Sequence, residues 1–579
     1  MNNLKDLNYF ELRSILHEHE IENIVHFSVG RLAETWYYSK QNVKKKLKKY
    51  EEQNLLIYIP GNGRGNLSTI IFNNDFYSEV YEILTHCIDK NDIKFALQLS
   101  QLAIPQDWFT PFLEKIHTLF NHDSENKNNI LRFIINRKIA ILDPTTVSLH
   151  FEASLIKQIS NTLVNYNEEK DIFTPSVAID WSHNEDFTKW VFNIRKNILF
   201  HNEKKVTGND ILFTFEEAAK SSTGQWLLCN LKNMYCSSEF TVHFEFKKPE
   251  PLFLKLATHY SLVVRPILSN SKNFIGCGPF KLVESKSNYV CLKSFSKYFK
   301  EHPLIDGVEF WLVNSNFKKW LIVPQKKNIH INTDAIKPIE VARSGVSYLI
   351  FNKNRKNRIN PFIIKYLKVI FNASDFVSEL HGNNVPKAYS YFYKNSKNKE
   401  GTSLSLENEL LDAIKFPSYS DNTLRLAVYN HPRLIQEASW LKKQAATFKI
   451  NIEIKTYSFN DNYFTEKIIL DADLVLAIDI PVTDIELGYL DFLLNKTLLF
   501  QRFINKTQRA TILSLTEKYR TSVFSEQKTN ILNQIEDYIN NENILIYLYH
   551  PLKYYNIHSF INGVEFDSNG NIALDKLWW

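Results

Sequence analysis

The stretch Tyr38–Phe72, YSKQNVKKKLKKYEEQNLLIYIPGNGRGNLSTIIF, joins a helix pattern to a hairpin pattern. Val43, Leu47 and Tyr50 fall on one narrow side of the predicted helix, as expected for a buried stripe. Two strand-like runs follow, and the glycine-rich segment Pro60–Asn66 forms the bend between them. The stretch therefore predicts one amphipathic helix followed by a β-hairpin.

The outer side of this helix is basic. Six lysines lie between Lys40 and Lys49. At 100° per residue, Gln41, Lys45 and Lys48 point away from the buried stripe. A lysine-rich helix is also a common solvated surface, so the charge alone leaves binding and solvation equally open.

The neighbouring segments favour DNA binding. A shorter helix pattern at residues 28–36 comes before the basic helix, and this order matches the winged helix-turn-helix plan. The glycines of GNGRGN open a strand, whereas phosphate-binding glycine loops open a helix. The expected DNA contacts are Ser39, Lys40, Gln41, Asn42, Lys44, Lys45, Lys48 and, at the hairpin tip, Arg64.

The overall composition predicts a multidomain folded protein. The chain has 579 residues, of which 44% are hydrophobic, and a net charge of +6 that is too weak to name a polyanionic partner by itself. The first twenty residues lack the pattern of a signal peptide, and no apolar run is long enough to span a membrane. We therefore expect a cytoplasmic protein without membrane insertion.

No motif indicates catalysis, a metal or a cofactor. His17 and His19 fall on different sides of a helix, so they suit a solvated helix end better than a metal site. The five cysteines include no CxxC pair, and a GxSxG motif is absent. The sequence predicts that the protein is not an enzyme and binds no metal or cofactor.

The region after the polar segment 122–129 alternates strand and helix patterns. It contains five motifs in a characteristic order: LDP at 142–144, TLVNY at 162–166, WVFNIRKNILFH at 190–201, GCGPF at 276–280 and LIFN at 349–352. In this order they resemble the extracellular solute-binding proteins of family 5, which include oligopeptide- and dipeptide-binding proteins. Gly208, Cys277 and Glu203 depart from the residues usual in that family.

The N-terminal stretch, in turn, resembles the winged helix of the SgrR-type transcriptional regulators. The two resemblances together imply a small α+β winged helix-turn-helix, a helical connector and a two-lobed α/β module of the periplasmic-binding-protein type. The expected boundaries are a DNA-binding domain at 1–73, a connector at 74–121, a linker at 122–129 and a solute-binding domain at 130–579. Within that domain, lobe I covers 130–350 and 482–579, and lobe II covers 351–481.

The family resemblance also implies a ligand held between the lobes. Asp479 ends the apolar run ADLVLAIDIP, where the family often places an acidic residue facing the ligand, and Asp484 follows it. Asp143, in the LDP motif, is a third candidate. Asp143 directly precedes Pro144, and Asp479 lies two residues before Pro481. An aspartate at such a position commonly stabilises a turn, so a purely structural role is the alternative for both residues.

The combined expectation is a transcriptional regulator that binds double-stranded DNA and senses a small molecule such as a peptide, sugar or sugar phosphate. The alternative is the substrate-binding component of a transport system for peptides or nickel, which the larger region alone would suggest.

Overall fold

The computed structural model describes most of the chain. The described residues are 6–35, 39–61, 66–89, 93–99, 102–109, 129–135, 139–140, 142–147, 149–267, 274–286, 289–312, 320–324, 336–342, 345–355, 361–373, 376–382, 384–399, 423–457, 471–482, 484–559, 561–567 and 570–578. Across these ranges, no helix combines the length and the apolar character that a membrane span requires.

The N-terminal unit is a winged helix-turn-helix, as predicted. Its elements are α1 (Leu7–Leu16), β1 (Ile24–Phe27), α2 (Val29–Thr35), α3 (Lys40–Glu52), β2 (Leu56–Ile59), β3 (Ser68–Phe72), α4 (Phe76–Asp89) and α5 (Ile93–Leu99). The strands form an antiparallel sheet in the order β1-β3-β2. The strand β1 was not predicted, because a run of four residues is too short to show a clear alternation.

A buried ionic network ties α1 to α4. The Arg13 side chain is fully buried and lies 2.8 Å from Glu79 on α4 and 2.8 Å from Glu20. The Tyr9 hydroxyl donates to Glu79 at 3.0 Å, and the Arg13 guanidinium stacks 4.1 Å from the centre of the Phe72 ring. A buried charge persists only when it is paired, so this network fixes α4 against the winged helix.

The predicted connector is therefore part of the N-terminal core. Apolar side chains of α4 and α5 pack in the same cluster as those of α1 and α3. The boundary expected after residue 73 does not separate two cores. Residues 110–121 of that connector, and 122–128 of the expected linker, lie outside the described residues.

The elements of the remaining chain are given in two groups by chain order, those before Gly345 and those after it. The first group is β4 (Ile130–Ile135), α6 (His150–Ile159), β5 (Val164–Asn167), β6 (Ile172–Pro175), β7 (Ala178–His183), β8 (Lys189–Ile194), α7 (Gly208–Lys220), β9 (Leu231–Ser238), β10 (Thr241–Phe246), α8 (Phe253–Leu256), β11 (Phe280–Lys286), β12 (Tyr289–Ser294), β13 (Gly307–Leu312), β14 (Trp320–Pro324) and β15 (Ile336–Ala342). The second group is β16 (Val346–Phe351), α9 (Pro361–Ala373), α10 (Phe376–His381), α11 (Tyr393–Lys399), β17 (Leu424–Tyr429), α12 (Pro432–Thr447), β18 (Ile452–Tyr457), β19 (Leu474–Asp479), α13 (Ile485–Leu494), α14 (Leu499–Phe503), α15 (Lys506–Thr521), α16 (Ser525–Asn541), β20 (Leu545–Tyr549) and β21 (Leu552–His558).

The first lobe contains a mixed seven-stranded sheet in the order β11-β12-β13-β4-β14-β21-β15 and an antiparallel four-stranded sheet in the order β7-β8-β10-β9. The strands β5 and β6 form a separate hairpin. The central strand β4 pairs in parallel with β13 and antiparallel with β14. The N-terminal unit thus leads into the centre of the largest sheet.

The second lobe is built on a five-stranded sheet in the order β18-β17-β19-β16-β20. β16 was expected to end the first lobe, and residues 482–579 to return to it. The C-terminal part does return: β21 joins the seven-stranded sheet, and Ile561, Ile572 and Leu577 pack in the core of that sheet. β16, however, pairs with both β19 and β20, and α14 and α16 pack on these strands. An apolar run shows that a strand is buried, but its sequence does not say which sheet it joins.

A buried ion pair joins α15 to the segment that follows β10 in the first lobe. Arg520 on α15 donates through Nε to Glu250, which follows β10, at 3.1 Å. Its terminal nitrogens donate to the carbonyls of Trp226 at 2.7 Å and Leu227 at 3.0 Å. Arg520 and Glu250 are 2% and 0% exposed, so neither charge has a substitute partner in solvent.

Loss of this pair should strongly destabilise the protein. Arg520→Met leaves Glu250 buried and unpaired, which should cost about 3–5 kcal/mol in the free energy of unfolding. The matched control is Lys248→Met, which breaks a pair with Glu517 whose side chains are 58% and 31% exposed. That control should leave the free energy of unfolding nearly unchanged, because solvent already screens the exposed pair. Denaturant unfolding followed by circular dichroism checks both, and equal losses would contradict the assignment.

Candidate functional site

The basic face predicted for α3 is exposed. Val43, Leu47 and Tyr50 are its buried residues, as the pattern predicted. The side chains predicted to contact DNA from this helix are exposed: Lys40, Gln41, Asn42, Lys44, Lys45 and Lys48. Ser39 caps the helix, because its hydroxyl accepts a hydrogen bond from the Asn42 backbone N–H at 3.3 Å.

The hairpin after α3 is held to the helix by a carboxylate. Glu51 accepts a hydrogen bond from the Tyr58 backbone N–H at 3.0 Å, so this acidic residue faces β2 and not the lysine face. At the start of the bend, the Gly61 N–H donates to the Ser68 hydroxyl at 3.1 Å. Arg64, the predicted contact at the hairpin tip, lies outside the described residues.

Asp479 ends β19 next to the crossing of the chain between the lobes. The Tyr391 hydroxyl donates to its carboxylate at 2.6 Å. Burial, together with the nearby charge of Asp491, raises the pKa of Asp479 to about 7, although the hydrogen bond from Tyr391 acts in the opposite direction. The carboxyl group can therefore gain or lose a proton near neutral pH.

Asp491 on α13 lies near Asp479 and was not among the residues predicted from the sequence. It accepts a hydrogen bond from Trp226 Nε1 at 3.0 Å and lies 3.6 Å from His259 Nε2. The Tyr391 ring lies 4.6 Å from that of Tyr489, which closes the apolar side of this cluster. The signal for Asp491 in the sequence is weak, since an aspartate in the middle of an apolar helix has no motif around it.

The other two predicted cleft residues have structural partners. Asp484 caps α13 by accepting from the Leu487 N–H at 3.1 Å, and it pairs with Lys255 at 3.0 Å. Asp143 accepts hydrogen bonds from the N–H and the hydroxyl of Thr145 at 2.9 and 2.7 Å, which is a turn-stabilising arrangement. Asp484 and Asp479 lie in the same crossing segment, whereas Asp143 organises a loop of the first lobe.

The backbone at the crossing requires glycine. Gly345, just before β16, has φ +112°, and a Cβ atom there would meet the Asp479 carbonyl at 2.3 Å. Only glycine adopts this conformation without strain. On the other side of the crossing, His150 Nδ1 lies 2.8 Å from the Pro481 carbonyl.

Two family models match the chain. Residues 173–480 match the bacterial extracellular solute-binding proteins, family 5 Middle, and residues 6–119 match the sugar transport-related sRNA regulator N-terminal model. The second range covers α1 to α5, in agreement with the single N-terminal core.

Relatives and solved structures agree with both matches. The protein YhjP of Bacillus subtilis is 24% identical over 95% of either chain. The HTH-type transcriptional regulator SgrR of Pectobacterium atrosepticum is 22% identical, and the match spans 58% of this chain and 59% of that protein.

Among solved structures, Haemophilus influenzae OppA in complex with RPPGFSPFR superposes with a TM-score of 0.62 at 16% identity, over 77% of this chain and 98% of that one. Helicobacter pylori DppA in complex with the peptide STSA gives 0.63 at 15% identity, over 78% and 98%. The chain belongs to family 5 of the bacterial extracellular solute-binding proteins and carries an N-terminal domain of the SgrR type.

Proposed function

We propose that this protein is a cytoplasmic transcriptional regulator that binds double-stranded DNA through its winged helix and senses a small molecule through its solute-binding module. The observation that supports this proposal most directly is the exposed lysine face of α3, presented by a rigid winged helix on the same chain as a two-lobed binding fold. The similarity to the HTH-type transcriptional regulator SgrR supports it as well.

The DNA contacts are proposed for α3 and the hairpin tip. The N-terminal residues of α3 enter the major groove, Lys44, Lys45 and Lys48 contact phosphates or base edges, and Arg64 contacts the backbone or the minor groove. Glu51 does not oppose this binding, because its carboxylate is directed to β2.

The small molecule is proposed to bind between the lobes, near Asp479. Peptides occupy solved relatives of the same fold, and a peptide, a sugar or a sugar phosphate is the ligand class we propose here. An ionised Asp479 would accept hydrogen bonds from donor groups of the ligand. Asp484 and Asp143 would line the edges of the same site. Ligand-driven closure from a mostly open to a mostly closed state requires about 5 kcal/mol of differential binding.

We propose that closure of the lobes is transmitted to the DNA-binding unit through Trp311 on β13. Trp311 packs against the core of the N-terminal unit, and its Nε1 donates to Glu309 at 2.9 Å. Glu309 is itself held by Arg132 on β4 at 2.9 Å. The contact between the two modules is therefore fixed to the centre of the seven-stranded sheet, and a movement of that sheet changes how α3 is presented.

The alternative function is that of a binding component for peptide or nickel transport. It would require export, and a transport component has no use for a winged helix with a lysine face. Cell fractionation separates the two functions: recovery with the cytoplasm supports the regulator, and recovery from the outer surface would overturn it.

Alanine substitutions on α3 should weaken DNA binding without unfolding the protein. Lys45→Ala and Lys48→Ala each remove an exposed cation, so a variant that no longer neutralises one phosphate should reduce the dependence of log K on log salt by about 1. Gel shifts with duplex from the neighbouring promoter at several salt concentrations measure this slope. Arg64→Ala should act in the same direction, and Lys232→Ala on β9 is the matched control.

An unchanged salt slope in Lys45→Ala, Lys48→Ala and Arg64→Ala would place the DNA-binding surface elsewhere. A loss of binding that also appears in Lys232→Ala would point to a general effect of charge.

Asp479→Asn should remove a pH dependence of stability. The pKa of Asp479 is about 7 in the folded protein and about 4 in an unfolded chain. Between these values the folded state retains a proton that the unfolded state has released, so this group's contribution to stability falls as pH rises from about 4 to about 7. Thermal midpoints measured across this range should fall less steeply in Asp479→Asn.

The matched control for this measurement is Asp537→Asn, at an exposed position of α16. It should keep the wild-type pH profile. An identical profile in Asp479→Asn would show that the carboxyl group is already ionised in the folded protein.

A further inference from the structure

A cavity of the first lobe lies beside the crossing segment. Its volume is about 760 Å³, and its lining includes Lys157, Gln158, Asn161, Arg195 and Lys300. This volume lies within the range of small-molecule pockets. Val482 of the crossing segment contributes to the lining, whereas Asp479, Tyr391 and Asp491 do not. We call it the basic cavity.

Two cations of the basic cavity are anchored on one buried residue. Arg195 donates through Nε to the Ser176 carbonyl at 2.9 Å, and Lys300 Nζ donates to the Ser176 hydroxyl at 3.2 Å. Ser176 is fully buried, so it holds the two like charges side by side. Burial and the charge of Arg195 lower the pKa of Lys300 to about 8. An anion bound between the two cations would relieve this repulsion.

Lys157 adds a third cation from α6. Its side chain lines the cavity and is exposed to solvent there. Burial lowers the pKa of Lys157. Within the described part of the chain, Lys157, Arg195 and Lys300 form no ion pair, although the charges of Asp567 and Asp484 partly offset the effect of burial on the pKa of Lys157.

The carboxylates of the same cavity have other partners. Glu301 pairs with Lys576 at 2.9 Å, and Asp567 accepts from the Asn571 N–H at 2.8 Å and from its side-chain amide at 3.0 Å. Burial raises the pKa of Asp575, which opposes its ionisation. Asp567 and Asp575 act on Lys157 and Lys300 only through their charge and not through an ion pair, so an external anion can contact the three cations directly.

Two amide oxygens in the lining indicate a further property of the ligand. Gln158 Oε1 and Asn161 Oδ1 are buried and accept no hydrogen bond from the described residues, although the Asn161 amide nitrogen donates to the Tyr298 hydroxyl at 3.2 Å. Buried acceptors without a donor are costly, and a ligand that donates hydrogen bonds would satisfy them. A bare inorganic ion with no hydroxyl groups would satisfy only the cations.

We propose that the basic cavity binds a small hydroxylated oxyanion, with its charged group between Arg195, Lys300 and Lys157 and its hydroxyl groups donating to Gln158 and Asn161. The charged group is a carboxylate or a phosphate monoester, which both accept hydrogen bonds from guanidinium and ammonium groups. This site does not depend on the DNA-binding role or on Asp479.

The test is calorimetric titration of the full chain with glycerol 3-phosphate, lactate and inorganic phosphate. Binding of glycerol 3-phosphate identifies the phosphate monoester, and binding of lactate identifies the carboxylate. Inorganic phosphate should bind more weakly than glycerol 3-phosphate, because it lacks the carbon-bound hydroxyl groups that reach the two amides. Absence of binding by both organic probes at about 10 mM, which corresponds to less than about 3 kcal/mol of binding free energy, would overturn the proposal.

Charge-removing variants locate the site. Lys157→Gln and Lys300→Gln should each weaken binding of the organic probe about tenfold or more, since each removes a charged hydrogen-bond donor. Glutamine at position 300 can still donate to Ser176, and Lys157 has no ion-pair partner among the described residues, so folding should be retained. Lys232→Gln on β9 is the matched control and should leave the affinity unchanged. Equal affinity in all three variants would overturn the proposal.

Discussion

The Arg520–Glu250 pair is the contact on which the arrangement of the two lobes depends. Arg520 comes from α15, and Glu250 comes from the segment that follows β10 of the four-stranded sheet. Both charges are almost fully buried, so each stabilises the folded state only while the other is in place. The surrounding apolar cluster is continuous across the same boundary.

The same boundary determines the chemistry of Asp479. Because α13 is held against the first lobe, Asp491 on this helix comes close to Asp479 and raises its pKa, while Tyr391 donates a hydrogen bond that favours the ionised form. The result is a carboxyl group whose charge can change near neutral pH. A proton neutralises this carboxylate, and a protonated amine of a ligand would form an ion pair with it.

The N-terminal unit contains both buried, paired charges and exposed, unburied ones, and the two sets have different roles. Arg13, Glu79 and Glu20 bury their charges inside it and fix α4 to α1, whereas the lysines of α3 remain in solvent. The inner network makes the unit rigid, and Glu51 is directed to β2 and not to the lysines. Rigid presentation of a basic helix suits recognition of a regular polyanion, since little conformational entropy is lost on binding.

The sequence by itself determined the local features. The stripe of Val43, Leu47 and Tyr50 set which side of α3 is buried and thus left the lysines exposed, because helical spacing alone fixes these directions. The order of motifs from LDP to LIFN also predicted the two-lobed fold. Only the tertiary structure decided which sheet β20 joins and which charges meet across the lobes. Contacts such as Arg520 with Glu250, or Arg195 and Lys300 on Ser176, join residues far apart in the chain, and no local pattern encodes such a pairing.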